Sequence, residues 1–431
     1  MFETFRNAWK IPELKKRLLF TLLILVIYRL GCAVPVPFIN DVALDAMFST
    51  GSMLTYLNMM SGGALSQSTL FALGVIPYIN ASIIMQLLTV AIPYLENLAK
   101  EPNGQTKMQQ ITRYAGAVVA LIMSTGYYFV LRSQGCLAYT TGGAAWFSGI
   151  VIILAFVAGA QLITWLGEQI DDKGIGNGIS MLIFASIVAN WSGIYSTVMG
   201  LVYEAQNGKP WLYVMLPLLV VLVLAAVVFV VVMTHAERRI PVQYAKRVVG
   251  RKMMGGQSSF IPLKINMSGV MPVIFASSII SIPGMIGSFL NVSQAEHPFW
   301  FAFFQAFNYN SLIYMVLYVL LIVAFNYFYV AIQYNPVEIA NNLRQNNGAI
   351  PGIRPGKPTS DFITKTLSKI TLIGAIFLCV IAVAPILLGN LTGVAIQLGG
   401  TSLLIVVGVA LDTTRTLDSY MTMRNHKGFL G

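Results

Sequence analysis

The sequence has few of the residues that carry most protein chemistry. Only three cysteines and three histidines occur in 431 residues, and charged residues make up 10% of the chain. Cys32, Cys136 and Cys379 are far apart and cannot supply a disulfide framework. The histidines show no metal-ligand spacing. These scarcities exclude a disulfide-stapled domain and argue against a metal site.

Apolar side chains dominate instead. They make up 56% of the chain, which is more than a soluble core of this length could bury. Ten apolar runs are long enough to cross the hydrocarbon of a bilayer, which takes about 20 helical residues. The sequence therefore predicts an all-α membrane protein with ten transmembrane helices. The runs are Leu18–Val36, Leu70–Tyr94, Tyr114–Leu131, Phe147–Leu166, Ile179–Val198, Trp211–Thr234, Met267–Leu290, Leu312–Tyr334, Ile370–Leu388 and Thr401–Leu417.

The basic residues lie almost wholly on alternate loops. The net charge is +11, and the loops on the opposite side carry only Arg132 and Lys209. Lys and Arg concentrate on the cytoplasmic side of membrane proteins, so the pattern predicts that both termini are cytoplasmic. Residues 1–17 mix aromatic and basic residues and predict an amphipathic helix on the inner membrane surface.

One nine-residue motif occurs twice, at Gly74–Ser82 and at Gly269–Ser277, with six identical positions. Each copy carries a Gly and a Pro, which disturb helices, and such interruptions at corresponding places in two halves indicate a transport pathway. The alternative is chance similarity between apolar segments. A turn-forming linker, Tyr203–Pro210, divides the chain into halves 1–205 and 206–431 with five spans each. An odd number of spans per half predicts an inverted repeat.

Two further segments stand out between the spans. Met53–Met60 is too short to cross, and Ser61-Gly62-Gly63 interrupts it, so we expect a re-entrant helix. Gly174–Gly178 lacks the context of a nucleotide-binding loop and predicts a tight inner turn that lets the fourth and fifth spans approach closely.

Two large inner loops, at about 235–266 and 335–369, hold twelve basic residues. Partial alternation in Arg239–Arg247, followed by Gly255-Gly256, predicts a hairpin. The charge favours a large acidic partner, such as ribosomal RNA or an acidic protein surface. The alternative is that it only sets the topology.

The spans lack the ionisable side chains that an ion-coupled carrier retains at its centre. An apolar constriction gates by excluding water, so the residues favour a pore whose passenger is not a specific ion. Two other readings stay open: a secondary transporter with inverted repeats, and a ribosome-docking subunit without a pore.

Nearly the whole chain resembles the SecY family, the main subunit of the bacterial protein-conducting channel. The motifs that carry this resemblance are spread over both halves. They are Ser61–Ser66, Gly74–Thr89, Trp165–Ser180, Tyr244–Arg247, Pro262–Asn266, Ile350–Gly356 and Gly399–Ile405.

The resemblance implies roles for particular residues. A ring of apolar side chains would seal the resting pore, a plug helix would fill the funnel beside it, and a lateral gate would release membrane segments to lipid. Basic residues on the inner loops would engage the ribosome or the SecA motor. The ring is Val75, Ile79, Ile179, Ile183, Ile274 and Ile405; the plug, at about 53–68, includes Met53, Leu57, Met60, Gly62 and Gly63; the gate is Asn80, Ser82, Gln86, Ser277 and Ser278; the contacts are Arg239, Lys246, Arg247 and Arg354. For each ring residue, the alternative is ordinary packing between helices.

The resemblance also implies partners and a location. We expect SecE-like and SecG-like subunits, the SecA motor ATPase, the ribosome, signal sequences, nascent polypeptides and membrane lipid. The location would be the bacterial inner membrane, and the chain itself would be neither an enzyme nor a cofactor binder. The sequence departs from the family pattern at Val75, which is smaller than the usual isoleucine, at the weakly basic loop 100–107, and at His426.

Overall fold

The computed structural model describes residues 6, 8–40, 63–139, 141–189, 192–206, 211–244, 247–249, 252–254, 258–290, 298–307, 311–392 and 400–427. Five predicted site residues lie outside these ranges: Met53, Leu57, Met60, Gly62 and Lys246. Gly63 is inside them.

Each predicted apolar run overlaps one helix or two consecutive helices. The first half contains α1 Pro12–Gly31, α2 Ile76–Ala91, α3 Pro93–Lys100, α4 Gly104–Ser133, α5 Gly142–Lys173, α6 Gly178–Ala189 and α7 Ser192–Gln206. The second half contains α8 Leu212–His235, α9 Met271–Leu290, α10 Pro298–Ala306, α11 Leu312–Gln333, α12 Pro336–Gln345, α13 Lys357–Thr392 and α14 Gly400–Lys427. The strands are β1 Glu237–Tyr244, β2 Arg247–Val249, β3 Lys252–Met254, β4 Ser258–Lys264 and β5 Gly348–Ala349.

Over the described residues, six helices are long and apolar enough to cross a membrane, or seven if the bent pair α2 and α3 forms one span. The axis turns by 101° between that pair, where Ile92 separates α2 from Pro93. The chain is thus a helical membrane protein with many spans, while the count of ten stays a prediction.

The two halves repeat one order of helix contacts. In the first half, α1 packs on α5 and α6, α2 on α4, α4 on α5, and α5 on α6. In the second half, α8 packs on α13 and α14, α9 on α11, α11 on α13, and α13 on α14. Numbered as spans within each half, five contacting pairs are shared: first with fourth, first with fifth, second with third, third with fourth, and fourth with fifth. The first half has one further pair, α2 with α5. The repeated motif therefore belongs to a repeated architecture.

Glycines sit at matching contacts in both halves. A Cβ atom on Gly178, at the start of α6, would lie 1.9 Å from the carbonyl oxygen of Gly167 in α5. A Cβ atom on Gly400, at the start of α14, would lie 1.8 Å from the carbonyl oxygen of Ile381 in α13. Only glycine permits such close backbone approach. The predicted close approach of the fourth and fifth spans is confirmed, and the second half repeats it.

The inner loops fold together rather than separately. β1 pairs with β4 in an antiparallel hairpin, as the alternation predicted, with Ile240 opposite Ile261. β5, from the other inner loop, pairs with the opposite edge of β1 through Gln243 and Tyr244. One face of this sheet buries Ile240 and Val242 in an apolar cluster with residues of α11, α12 and α13. Arg239 of the first loop and the turn with Arg354 of the second are therefore joined through one sheet.

Two local expectations differ from the structure. The linker was predicted to begin at Tyr203, but α7 continues to Gln206, because residues 203–206 contain neither Gly nor Pro and Ala205 is buried. The first spanning helix begins at Pro12 rather than Leu18, since proline suits the first helical turn. Leu14 then packs with Leu417 and Ile175, which joins the two halves on the side of the sheet.

The close glycine contacts predict matched losses of stability. Gly178→Ala and Gly400→Ala should each lower the apparent Tm of the purified protein in detergent, because overpacking costs about 1–3 kcal/mol. Gly143→Ala is the control, since no atom lies within 4 Å of a Cβ atom there. An unchanged Tm in the first two variants would contradict the tight contact.

Candidate functional site

The structure gathers the six predicted ring residues into one apolar cluster. They come from the start of α2, from α6, from α9 and from α14, and five are between 3 and 6% exposed. Ile179 is partly buried and packs against this cluster. The members are Val75, Ile79, Ile179, Ile183, Ile274 and Ile405.

This central cluster is the one that joins the halves at their middle. A second cluster contains residues 36–156 alone, and a third contains residues 230–404 alone. The central cluster instead mixes Ile79 and Ile183 of the first half with Ile274 and Ile405 of the second. It therefore forms the seam along which the halves meet.

The repeated motif has the same local structure in both copies. Gly74 and Gly269 have φ angles of 56° and 64°, in the left-handed region that favours glycine. Pro77 and Pro272 each occupy the second residue of the helix that follows, where a missing N–H costs nothing. The Gly and Pro thus fix where α2 and α9 begin rather than breaking them. This start aims Ile79 and Ile274 at the seam.

A buried tyrosine holds the segment that leads into α2. The hydroxyl of Tyr127, in α4, donates to the carbonyl oxygen of Leu65 at 2.9 Å and is hydrogen-bonded to Ser68 Oγ at 2.9 Å. Tyr127 is 2% exposed, so these bonds form away from water. They tie the region that follows Gly63 to a long helix of the first half.

A buried asparagine has the corresponding role before α9. Asn326, in α11, accepts a hydrogen bond from Ser268 Oγ on its Oδ1 atom. Its Nδ2 atom donates to the carbonyl oxygen of Thr371 in α13 at 2.8 Å. Like Tyr127, Asn326 lies in the third span of its half and reaches the residues just before the motif. Each half is therefore tied internally by polar bonds.

The predicted gate residues lie on α2 and α9, which are in contact. Asn80 reaches Met123 Sδ in α4 at 4.0 Å, and Gln86 donates to Ser82 Oγ at 3.4 Å within α2. Ser277 donates to the carbonyl oxygen of Ile274 in its own helix, and the carbonyl oxygen of Ser278 accepts from Ser281. Within the part of the chain that the structure describes, none of these five side chains bonds across from α2 to α9. The contact can open without leaving a polar group unpaired.

The predicted partner-contact residues lie on the united inner loops. Arg239, on β1, pairs with Glu237 at 2.6 Å and stacks over the ring of Phe260 at 4.8 Å. Arg354 is exposed on the turn after β5, where its carbonyl oxygen accepts from Thr359 Oγ1 at 2.9 Å. Arg247 lies in the short strand β2, beyond the hairpin that holds Arg239.

Sequence reasoning missed Tyr127, Asn326 and the pairing of β5 with β1. Asn326 had a usable signal, since a single amide within an otherwise apolar span marks a polar partner. Tyr127 had none, because it lies in a run of aromatic residues that fits any membrane helix. The β5 strand is two residues long and is defined only by its partner.

Comparison with known proteins places this arrangement in one class. The SecY family model matches residues 69–414. The protein translocase subunit SecY of Streptomyces coelicolor is 42% identical and that of Mycobacterium tuberculosis is 41% identical, each aligned over all of both chains. The structure of a protein-conducting channel has a TM-score of 0.62 at 18% identity over 95% of both chains. Sec61 in a canine ribosome-channel complex has a TM-score of 0.59 at 17% identity, also over 95% of both.

The fold and the apolar seam between two repeated halves are those of a protein-conducting membrane channel. The agreement extends over the whole chain, including both copies of the motif. The chain belongs to the SecY family of protein translocase subunits. Its function is that of a channel, and it is not an enzyme.

The buried polar bonds predict a stability effect in each half. Tyr127→Phe and Asn326→Leu should lower the apparent Tm, since a buried partner left unsatisfied costs about 1–3 kcal/mol. Tyr128→Phe, at the adjacent position of α4, should leave the Tm unchanged. If all three variants have the same apparent Tm as the parent protein, these hydrogen bonds do not stabilise the segments that lead into α2 and α9.

Proposed function

We propose that the chain is the central pore subunit of a protein translocation channel and that the six ring residues form its seal. Unfolded secretory proteins pass through the seal, and membrane spans leave sideways into the lipid. The observation that carries this assignment is the central cluster, which contains Ile79 and Ile274 of the two motif copies.

Branched apolar side chains suit a passenger of variable sequence. A constriction lined by Val and Ile excludes water and ions without bonding to any particular side chain. The ring residues come from four separate helices. If these helices move apart by a few ångströms, the pore at the ring widens while each half keeps its own apolar core. The proposed halves are residues 1–205 and 206–431, and Tyr127 and Asn326 keep each one rigid.

The lateral exit would lie between α2 and α9. Asn80, Ser82, Gln86, Ser277 and Ser278 bond within their own half, so parting the two helices breaks apolar contacts only. An apolar signal sequence or membrane span can replace those contacts as it enters. This supports lateral release of apolar segments to the lipid.

Support for the proposed plug comes from the described residues in its C-terminal part. Met53, Leu57, Met60 and Gly62 lie outside the described residues, and Gly63 has a φ of 87°. Ala64, the next residue, belongs to the central cluster. A helix ending at Gly63 would therefore lie beside the ring, where it can block the pore.

The proposed partners are inferred from the basic residues on the two inner loops. We propose that Arg239, Lys246, Arg247 and Arg354 engage the ribosome or a SecA motor, which supplies the energy. The united sheet supports this, since it holds Arg239 and the turn with Arg354 on one base, and a Sec61 relative is found in a ribosome-channel complex. SecE-like and SecG-like subunits complete the channel. The basic loops favour both termini in the cytoplasm and a place in the bacterial inner membrane.

The ring assignment predicts an ion leak. Ile79→Gly combined with Ile274→Gly should raise the ion permeability of proteoliposomes several-fold, because the seal loses two of its largest side chains. Signal-sequence-dependent export should persist or rise in the same vesicles. The measurement is ion flux at rest, followed by protease protection of an exported protein.

The matched control is Ile84→Gly combined with Ile282→Gly. These isoleucines lie on the same two helices but are 46 and 43% exposed, away from the seam. Replacing them by Gly lowers helix stability by a similar amount, but the variant should show no increase in ion permeability. Equal permeability of both pairs, or no leak from either, would count against the ring and favour a docking subunit without a pore.

The inner loops predict a charge effect on partner binding. Arg354→Glu should slow export about tenfold, because a like-charge contact costing about 1.4 kcal/mol weakens binding to an acidic partner by that factor. Membrane insertion of the variant should be normal. Arg132→Glu, on a loop of the other face, is the control, and export at the parent rate by Arg354→Glu would rule out the contact.

A further inference from the structure

The helix α10 has a composition unlike any other connection in the chain. It links the ends of α9 and α11 that lie far from the β-sheet. Five of the nine residues in Pro298–Ala306 are aromatic, and residues 298–307 contain no Asp, Glu, Lys or Arg. Water-exposed connections are normally polar, so this composition needs a physical reason.

One side of α10 is fixed to the second half. The ring of Phe304 fills the space beside Gly287 of α9, where a Cβ atom would lie 2.7 Å from its Cγ atom. Phe303 packs on Phe307 with ring centroids 5.1 Å apart, and Phe307 contacts the apolar core of this half. Trp300 stacks on Phe304 at 6.0 Å. Because Gly287 belongs to α9, α10 moves together with the far end of the proposed gate helix.

The other side of α10 is open. Phe299 is 74% exposed and Trp300 is 52% exposed. The neighbouring ends of α9 and α11 continue this apolar surface with exposed Ile286 and Leu312. α9 and α11 are apolar helices of a membrane protein, so the aromatic side of α10 continues a surface that suits lipid better than water.

Other exposed aromatic residues recur at the same face of the molecule. Trp146 near the start of α5 and Trp211 just before α8 are both exposed, and both lie at helix ends far from the sheet. Trp and Tyr collect at the membrane–water interface, where an apolar ring and a polar edge are both satisfied. The exposed rings therefore mark the level of that interface, and α10 lies at this level.

We propose that α10 binds the phospholipid interface, lying flat at the boundary of head groups and acyl chains, and anchors the far end of α9 there. Phe299 and Trp300 are the contacts with lipid. The binding itself needs no assumption about translocation, whereas the anchoring of a gate helix rests on the proposed function. Phe304 of α10 packs against Gly287 of α9, so the two helices move together. When α2 and α9 separate, the aromatic side chains of α10 must therefore move within the membrane interface.

A depth measurement tests the binding. Nitroxide labels are attached to Phe299→Cys and, as the matched control nearly two turns along the same helix, to Gln305→Cys, in the full-length chain with its partner subunits in phosphatidylethanolamine and phosphatidylglycerol vesicles. The unmodified chain, treated identically, gives the background from the native cysteines. We expect the label at 299 to be several-fold more accessible to oxygen than to a water-soluble nickel chelate, and the label at 305 to show the reverse.

Native tryptophan provides a second measurement without a label. The fluorescence lost in Trp300→Phe isolates Trp300, and lipids brominated high on the acyl chain should quench this component more strongly than lipids brominated near the chain end. Equal access of the nickel chelate to labels at 299 and 305, together with no quenching of Trp300, would overturn the proposal and leave a protein partner as the ligand of this face. Neither result depends on whether the ring variants leak.

Discussion

The structure depends on one constraint at the seam between its halves. As the proposed seal and gate, the contact there must exclude water at rest, yet separate without leaving a buried polar group unpaired. Apolar packing alone meets both demands, because it is strong when closed and non-directional. The central cluster is built in this way, and the polar side chains that flank it on α2 and α9 bond within their own half.

The rigidity that the seam lacks is supplied inside each half. Close glycine contacts at Gly178 and Gly400, and buried polar bonds from Tyr127 and Asn326, recur at corresponding places. Both kinds of contact tolerate little movement: the first leaves no space, and the second would leave a buried group unpaired. In the proposed channel the halves would move as bodies, with their relative motion at the seam. The joined inner sheet would give the proposed partner a base on the second half.

Much of the architecture could be read from residues alone. The apolar runs, the twice-used motif, the inner hairpin and the Gly174–Gly178 turn all depend on local chemistry, and each has its structural counterpart. The linker start at Tyr203 was wrong because residues 203–206 contain no Gly or Pro that would end the helix. The roles of the ring, gate, plug and contact residues stay predictions, although the structure brings the ring residues together.

The sequence by itself determined that this is a membrane protein with two repeated parts, since span length and helix starts follow from neighbouring residues. It also marked Gly74 and Gly269 as the beginnings of special helices. Only the tertiary structure decided which side chains meet: that Tyr127 and Asn326 reach back to the residues before the motif, that β5 completes the sheet of another loop, and that Gly287 receives Phe304. These partners lie from 17 (304 − 287) to 106 (349 − 243) residues apart, and their pairing depends on how whole helices pack, which no local pattern encodes.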